Sequence, residues 1–177
     1  METLVVNLFA GPGTGKSTTA AGIFCELKNR GICAELALEY AKDKVWEDSL
    51  RTLENQIYVF GKQHHRIWRL LGKVPVIITD SPLLLSLYYG NEESNTFHHL
   101  VLEQHRKLWC FNVFLLREKE YEQAGRLQTE AQAKVIDNLL RQMLHLNDVP
   151  YDECPANRWA PSMLADEIET ILQKRKV

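Results

Sequence analysis

Hydrophobic residues along this chain fall into short continuous runs, separated by longer stretches of mixed, helix-like periodicity. Continuous apolar runs of this length are typical of strands that are buried on both faces. The runs predict five strands, at residues 3–9, 32–38, 74–79, 111–116 and 149–154. The stretches between them predict helices, at residues 16–30, 46–71, 94–109, 130–146 and 161–176. This alternation predicts an α/β fold, with a five-stranded parallel sheet covered by helices on both faces.

The turn after the first predicted strand carries the most specific motif in the chain. Residues 10–18 read Ala-Gly-Pro-Gly-Thr-Gly-Lys-Ser-Thr, which is a Walker A pattern. Glycines at this spacing let backbone N–H groups converge on a polyphosphate, and the following helix adds its positive N-terminal dipole. Such a loop predicts a three-layer P-loop NTPase fold with ATP and Mg²⁺ as cofactors. The predicted nucleotide ligands are Gly11, Gly13, Thr14, Gly15, Lys16, Ser17 and Thr18; Lys16 would reach the β- and γ-phosphates, and Ser17 would bind Mg²⁺.

Acidic residues follow two further predicted strands, at the sheet edge where ligands of open parallel sheets bind. Asp80 follows the third strand and fits a Walker B carboxylate that holds Mg²⁺ directly or through water. Asp80 also fits a helix N-cap, because Pro82 is a plausible first helical residue, and both roles can coexist. Glu39 follows the second strand and is the candidate general base for an acceptor hydroxyl. The alternative for Glu39 is a surface glutamate in a strand-to-helix loop.

A charged segment after the fourth predicted strand indicates a small lid over about residues 117–130. Arg117 and Arg126 in this segment would neutralise charge on a transferring phosphoryl group while the lid excludes water. The alternative is a solvated helix with ion pairs between successive turns. We expect the adenine ring near Arg117 and the loop after the fifth strand, where Asn157, Arg158 or Trp159 would contact it.

One stretch of the chain is distinctly basic. Residues 55–79 contain no acidic residue and carry four cations, which are Lys62, Arg66, Arg69 and Lys73. Aromatic and histidine residues are interleaved with them, so the stripe could hold DNA through its phosphates. A solvated helix face, with the aromatic residues turned toward the core, explains the same pattern.

The composition fits an ordinary globular protein of one domain, spanning residues 1–177. Hydrophobic residues make up 45% and charged residues 25%, and the net charge of −2 disfavours a protein that coats nucleic acid. The four cysteines form no CxxC pair, which favours reduced thiols in the core over disulfides or a zinc site. The first strand begins almost at Met1, and no apolar stretch approaches the roughly 20 residues that cross a bilayer. We therefore expect a cytoplasmic protein with no secretory signal.

Together these residues resemble the P-loop kinases of nucleosides and nucleotides, the group that contains thymidylate kinase and the deoxynucleoside kinases. The match follows the chain in order, from the P-loop to Glu39, Asp80 and a lid with Arg117 and Arg126. Residues 39–43, Glu-Tyr-Ala-Lys-Asp, also resemble the Glu-x-Ala-(Arg/Lys)-(Glu/Asp) segment of ribosylnicotinamide-kinase-like ATPases. The resemblance implies transfer of the γ-phosphate of ATP to a hydroxyl or phosphate of a nucleoside- or nucleotide-type acceptor. It also implies that the acid after the second strand acts as base and that the lid arginines clamp phosphates.

Two features keep the choice of acceptor open. Residues 125–133, with Ile-Thr-Asp-Ser-Pro at 78–82, are similar to small phage-encoded kinase-like proteins. Some members of that group phosphorylate 5-hydroxymethyluracil in DNA, so a DNA kinase is one alternative and an ATPase without an acceptor is another. Many thymidylate and deoxynucleoside kinases carry arginine directly after the acid that follows the third strand, whereas this chain has Ser81. Their substrate-binding arginine therefore has no counterpart at this position.

Overall fold

The computed structural model of the chain describes residues 2–118 and 129–175. Five strands form one sheet in the order β2-β3-β1-β4-β5, and every neighbouring pair is parallel. This confirms the predicted five-stranded parallel sheet. The strands are β1 (Leu4–Phe9), β2 (Ala34–Leu36), β3 (Val76–Thr79), β4 (Trp109–Leu116) and β5 (Asp152–Pro155).

Helices cover both faces of the sheet, as the alternating pattern predicts. One face packs against α1 (Lys16–Asn29) and α7 (Ala160–Lys174). The other face packs against the core side chains of α3 (Gln56–Trp68), α4 (Leu85–Tyr89), α5 (Asn95–Arg106) and α6 (Glu130–Leu146). Alternate residues of a strand point to opposite faces, so β1 sends Leu4 and Leu8 into the first layer and Val5 and Phe9 into the second.

The region predicted as one helical stretch over 46–71 is not continuous. Helix α2 (Tyr40–Trp46) begins before it and ends at its first residue, and a 3₁₀ turn over Leu50–Glu54 and then α3 follow. Asp48, in the left-handed region at φ 52°, lies in the turn that ends α2, and Asn55 starts α3 by accepting the N–H of Tyr58. Hydrophobic spacing alone did not reveal these breaks, because apolar residues continue through them.

Two smaller features differ from expectation. The sequence pattern did not resolve α4, which has only five residues. All four cysteines are free, but Cys25 and Cys33 are exposed rather than in the core, because they lie at surface positions beside apolar runs. Among the described residues, no helix has both the length and the apolar character needed to cross a membrane.

Candidate functional site

The loop between β1 and α1 has the geometry of an anion cradle. Gly13 and Gly15 adopt left-handed φ values of 77° and 106°, which non-glycine residues rarely adopt. The Thr14 hydroxyl donates to the Gly11 carbonyl at 3.1 Å and closes the loop. The Lys16 ammonium donates to the carbonyls of Ala10 and Gly11, at 2.8 and 3.2 Å, so its side chain folds back to the start of the loop. Space is open around Gly15, and the arrangement fits a polyphosphate.

Helix α6 packs directly against the start of this loop. A Cβ atom placed on Gly11 would lie 2.6 Å from the Ala133 carbonyl oxygen and 2.8 Å from Asp137 Oδ1. The Asp137 carboxylate accepts the Gly11 N–H at 2.5 Å, and its other oxygen accepts from Arg117 Nη2 at 3.0 Å. One carboxylate therefore joins the phosphate loop to the residue that follows β4.

Asp80 and Glu39 meet beyond the carboxyl ends of the paired strands β3 and β2. Asp80 is only 2% exposed, and its Oδ1 accepts the backbone N–H of Glu39 at 2.9 Å. The hydrogen bond recorded for the Asp80 side chain thus joins β3 to the segment after β2, rather than capping a helix that starts at Pro82. Glu39 is the residue before α2, yet its side chain makes no capping hydrogen bond.

A buried amide from α3 holds the same segment from behind. Gln63 accepts the N–H of Tyr40 at 3.0 Å and donates to the Ala37 carbonyl and the Thr79 hydroxyl, both at 3.4 Å. The Thr79 hydroxyl also donates to the Ala37 carbonyl at 2.7 Å. These bonds satisfy the polar groups on both sides of Glu39, so its backbone position is fixed by β3 and α3.

The charges in this cleft perturb one another. Burial lowers the pKa of Lys16, while the negative charges of Glu39, Asp80 and Asp137 act in the opposite direction. Burial raises the pKa of Glu39. The positive charge of Lys16 lowers this pKa, and the negative charge of Asp80 raises it. A carboxyl with a raised pKa in a cleft beside a lysine is a candidate for proton transfer.

The other predicted site residues are distributed as follows. Ser17 and Thr18 lie in the first turn of α1, beside the loop. The Asn157 amide donates to Glu118 at 3.0 Å, and its oxygen accepts the Trp159 N–H, so Asn157 shapes the turn before α7. Arg126 and most of the predicted lid lie outside the described residues.

The predicted basic stripe is partly used within the protein. Arg66 donates to the Leu38 carbonyl at 2.9 Å and forms an ion pair with Asp43, so it braces the segment around Glu39. Lys62, Arg69 and Lys73 are exposed.

The donor set for a metal is small. Within the described part of the chain, no group of three or more histidine, cysteine, aspartate or glutamate side chains could hold a metal ion. A Mg²⁺ ion needs only one or two carboxylates when phosphates and water supply the remaining oxygens. The Asp80 carboxylate and the Ser17 hydroxyl provide oxygen donors of the kind that this metal prefers.

Sequence reasoning missed three residues of the site. Asp137 and Gln63 lie on helices at core-facing positions otherwise filled by apolar residues, and a polar residue in such a stripe is a usable signal. Tyr89 of α4 is 43% exposed as a residue, but desolvation of its hydroxyl, and then the nearby charge of Glu39, raise the pKa of that hydroxyl. Tyr89 lies in the short helix that hydrophobic periodicity did not reveal.

Comparisons with known proteins agree with this architecture. The family model described as "AAA domain" matches residues 5–160. A deoxyadenosine kinase from M. mycoides, solved with the products dCMP and a flexible dCDP, is 18% identical with a TM-score of 0.53, covering 97% of this chain and 98% of its own. Kti12 from Chaetomium thermophilum, solved with ADP-AlF3, is 12% identical with a TM-score of 0.53, covering 94% and 97%. A search of curated proteins finds no match.

The two structural likenesses establish the fold, and the family model covers most of the chain, from β1 to the first residue of α7. The chain belongs to the AAA domain family.

Proposed function

We propose that the protein is an ATP- and Mg²⁺-dependent phosphotransferase that acts on a hydroxyl or phosphate of a nucleoside- or nucleotide-type acceptor. The observation that carries this proposal is the placement of Glu39. Asp80 and Gln63 fix the backbone at Glu39 and Tyr40, and the side chain of Glu39 caps no helix. Burial raises the pKa of Glu39, although the charge of Lys16 acts against this. A carboxylate held in this way is suited to accept a proton from an acceptor.

Each residue of the cleft has a separate role in the proposed reaction. Lys16 and the loop amides would hold the phosphates, and the oxygen atoms of Ser17 and Asp80 would hold Mg²⁺. Bound ATP and Mg²⁺ would supply the phosphoryl group and neutralise charge on its oxygens. Glu39 takes the acceptor's proton as the new O–P bond forms, and ADP leaves with the electron pair of the broken bond. Arg117 stabilises negative charge that spreads over the transferring group.

An open depression beside Tyr58 is the candidate place for an acceptor, although Lys16, Glu39 and Asp80 do not line it. The Tyr58 hydroxyl lies 3.3 Å from the hydroxyl of Tyr40, the residue after Glu39, and Tyr58 also lines this depression. The depression has a volume of about 700 Å³ and is lined by Arg51, Thr52, Glu54, Asn55, Tyr58 and Glu93.

A kinase acting on bases in DNA is the second candidate, because Lys62, Arg69 and Lys73 are exposed and Trp68 beside them is 58% exposed. Exposed cations and an aromatic ring together suit a nucleic-acid strand. An ATPase without an acceptor is the third candidate, since Kti12 shares the fold.

The test is transfer of label from γ-labelled ATP, with Mg²⁺, to a panel of acceptors. The panel holds deoxynucleosides, their monophosphates, nicotinamide riboside, plain DNA and hydroxymethyluracil-containing DNA. Label on a small molecule that is lost in a Glu39→Gln variant supports the proposal and names the acceptor class. Label on DNA favours the second candidate. Release of phosphate alone, with no labelled acceptor, contradicts transfer and favours the ATPase.

A further inference from the structure

The Asp137 side chain bonds to both the phosphate loop and Arg117. Its Oδ1 accepts the Gly11 N–H at 2.5 Å and its Oδ2 accepts from Arg117 Nη2 at 3.0 Å. Both partners of the ion pair are largely buried, with side chains 10% exposed for Arg117 and 15% for Asp137. Removing one partner of such a pair is costly, because a charge-assisted hydrogen bond is lost in a desolvated place.

The helix that carries Asp137 is held in a fixed register against the loop. Ala133, Ile136, Leu140 and Leu144 bury one stripe of α6, and a capping box at Thr129 and Gln132 fixes the start of the helix. Gly11 leaves room for the helix because no side chain stands between them. The carboxylate is therefore delivered by a rigid element and not by a loop.

The charge of Asp137 is unusual beside a site for phosphates. It lies close enough to Lys16 to affect the pKa of that residue, as Arg117 does with opposite sign. A carboxylate at this place repels a polyphosphate, so its presence requires a function of its own. Orienting a cation toward the phosphates is such a function, because a guanidinium bonded to a carboxylate is held in one geometry.

We propose that Asp137 is a positioning residue that acts through Arg117, setting its guanidinium and the first amide of the phosphate loop for nucleotide binding and phosphoryl transfer. The role of Asp137 in phosphoryl transfer rests on the proposed function, whereas its role in nucleotide binding requires only that the loop binds a nucleotide. A misplacement of about 1 Å in such a group costs on the order of 100-fold in rate.

The experiment is a double-mutant cycle with Asp137→Asn, Arg117→Gln and the double variant. Asparagine keeps an oxygen that can accept the Gly11 N–H and removes the charge that holds Arg117. We expect Asp137→Asn alone to lower kcat/KM for transfer by roughly tenfold or more. In the Arg117→Gln background, Asp137→Asn should change kcat/KM by less than about twofold, because the residue through which it acts is absent. A change of about twofold is the scatter expected between sites that do not interact. Glu103→Gln is the matched control, because it breaks an exposed ion pair with Lys107 on α5.

The same cycle is measured on ADP binding with Mg²⁺, which requires no acceptor. Asp137→Asn should weaken ADP severalfold, and only when Arg117 is present. If no acceptor is phosphorylated while this coupling persists, the proposed function fails and the positioning role stands. Any of three results would overturn the positioning role. The first is that the effects of the two substitutions multiply in the double variant, and the second is that Asp137→Asn changes neither measurement. The third is that Asp137→Asn tightens ADP binding equally in both backgrounds. Urea unfolding of each variant separates loss of the fold from loss of the site.

Discussion

Replacing Gly11 by alanine tests whether α6 is seated on the phosphate loop. Gly11 needs no left-handed backbone, since its φ is not positive, so its requirement is one of space. The new Cβ would lie 2.6 Å from the Ala133 carbonyl oxygen, about 0.8 Å closer than ordinary contact, which begins at 3.4 Å. That oxygen belongs to the helix backbone and cannot rotate away. Either α6 or the loop must move, and overpacking of this kind costs about 1–3 kcal/mol.

Urea unfolding at neutral pH measures the change in the free energy of unfolding, and titration with ADP measures the effect on the loop. We expect Gly11→Ala to lose about 1–3 kcal/mol of stability and to bind ADP more weakly, because the displaced loop misaligns its amides. The matched control is Gly61→Ala in α3, where a Cβ meets nothing within 4 Å. Alanine is the better helix former by about 1 kcal/mol, so this control should be more stable than the parent.

Gly15→Ala separates space from conformation. A Cβ there also meets nothing within 4 Å, but φ is 106°, so the substitution strains the backbone without a clash.

A Gly11→Ala variant with the parent's urea midpoint and ADP affinity would show that α6 does not press on the loop. The contacts of Asp137 with the loop would then need another explanation.

Three further predictions concern charge. Lys16→Ala should abolish transfer and weaken ADP binding; turnover near that of the parent would show that the loop is not the phosphate site. Glu39→Gln should cut transfer by about 10²–10⁴-fold while sparing ADP affinity, and should remove an acid limb of the kcat/KM profile that lies above the ordinary pKa of 4.5, because burial raises this pKa. Equal loss of binding and transfer would instead indicate a structural role for Glu39. Burial lowers the pKa of His105 to about 4, so the unfolded chain gains a proton between pH 6.5 and 4 that the folded chain does not. Stability should be full above pH 6.5 and fall by up to about 3 kcal/mol toward pH 4, and His105→Gln should flatten this dependence in urea unfolding.

The residues that follow strands were accessible from the sequence because parallel topology brings strand ends to one edge. Glu39 and Asp80 are far apart along the chain, yet the pairing of β2 with β3 places them in contact. The boundaries of α6 were also predicted correctly, since a capping threonine and a clear apolar stripe mark them. Local signals sufficed wherever the chain itself carried the start or stop of an element.

The residues that escaped prediction come from helices. Which face of a helix meets the site depends on how it packs against the sheet, and spacing along the chain does not give that orientation. Gln63 and Asp137 each occupy a stripe that binary patterning assigns to the core, so their polar character was the only sign of another role. Each is paired with backbone atoms of a site segment, which explains how a polar group is tolerated there.

The cleft is thus built from two hydrogen-bonded networks, one around Glu39 and one around Arg117. Asp80 and Gln63 hold the first through β3 and α3, and Asp137 holds the second through α6. Among the described residues, none of the hydrogen bonds given above joins the two networks, although the carboxylates of both act on Lys16. The rate losses of Glu39→Gln and Asp137→Asn should therefore nearly multiply when combined, because the two networks are linked through the charge of Lys16 and not through a shared hydrogen bond. If the double variant is no worse than Glu39→Gln alone, the two networks work as one unit, and the division drawn from the hydrogen bonds is wrong.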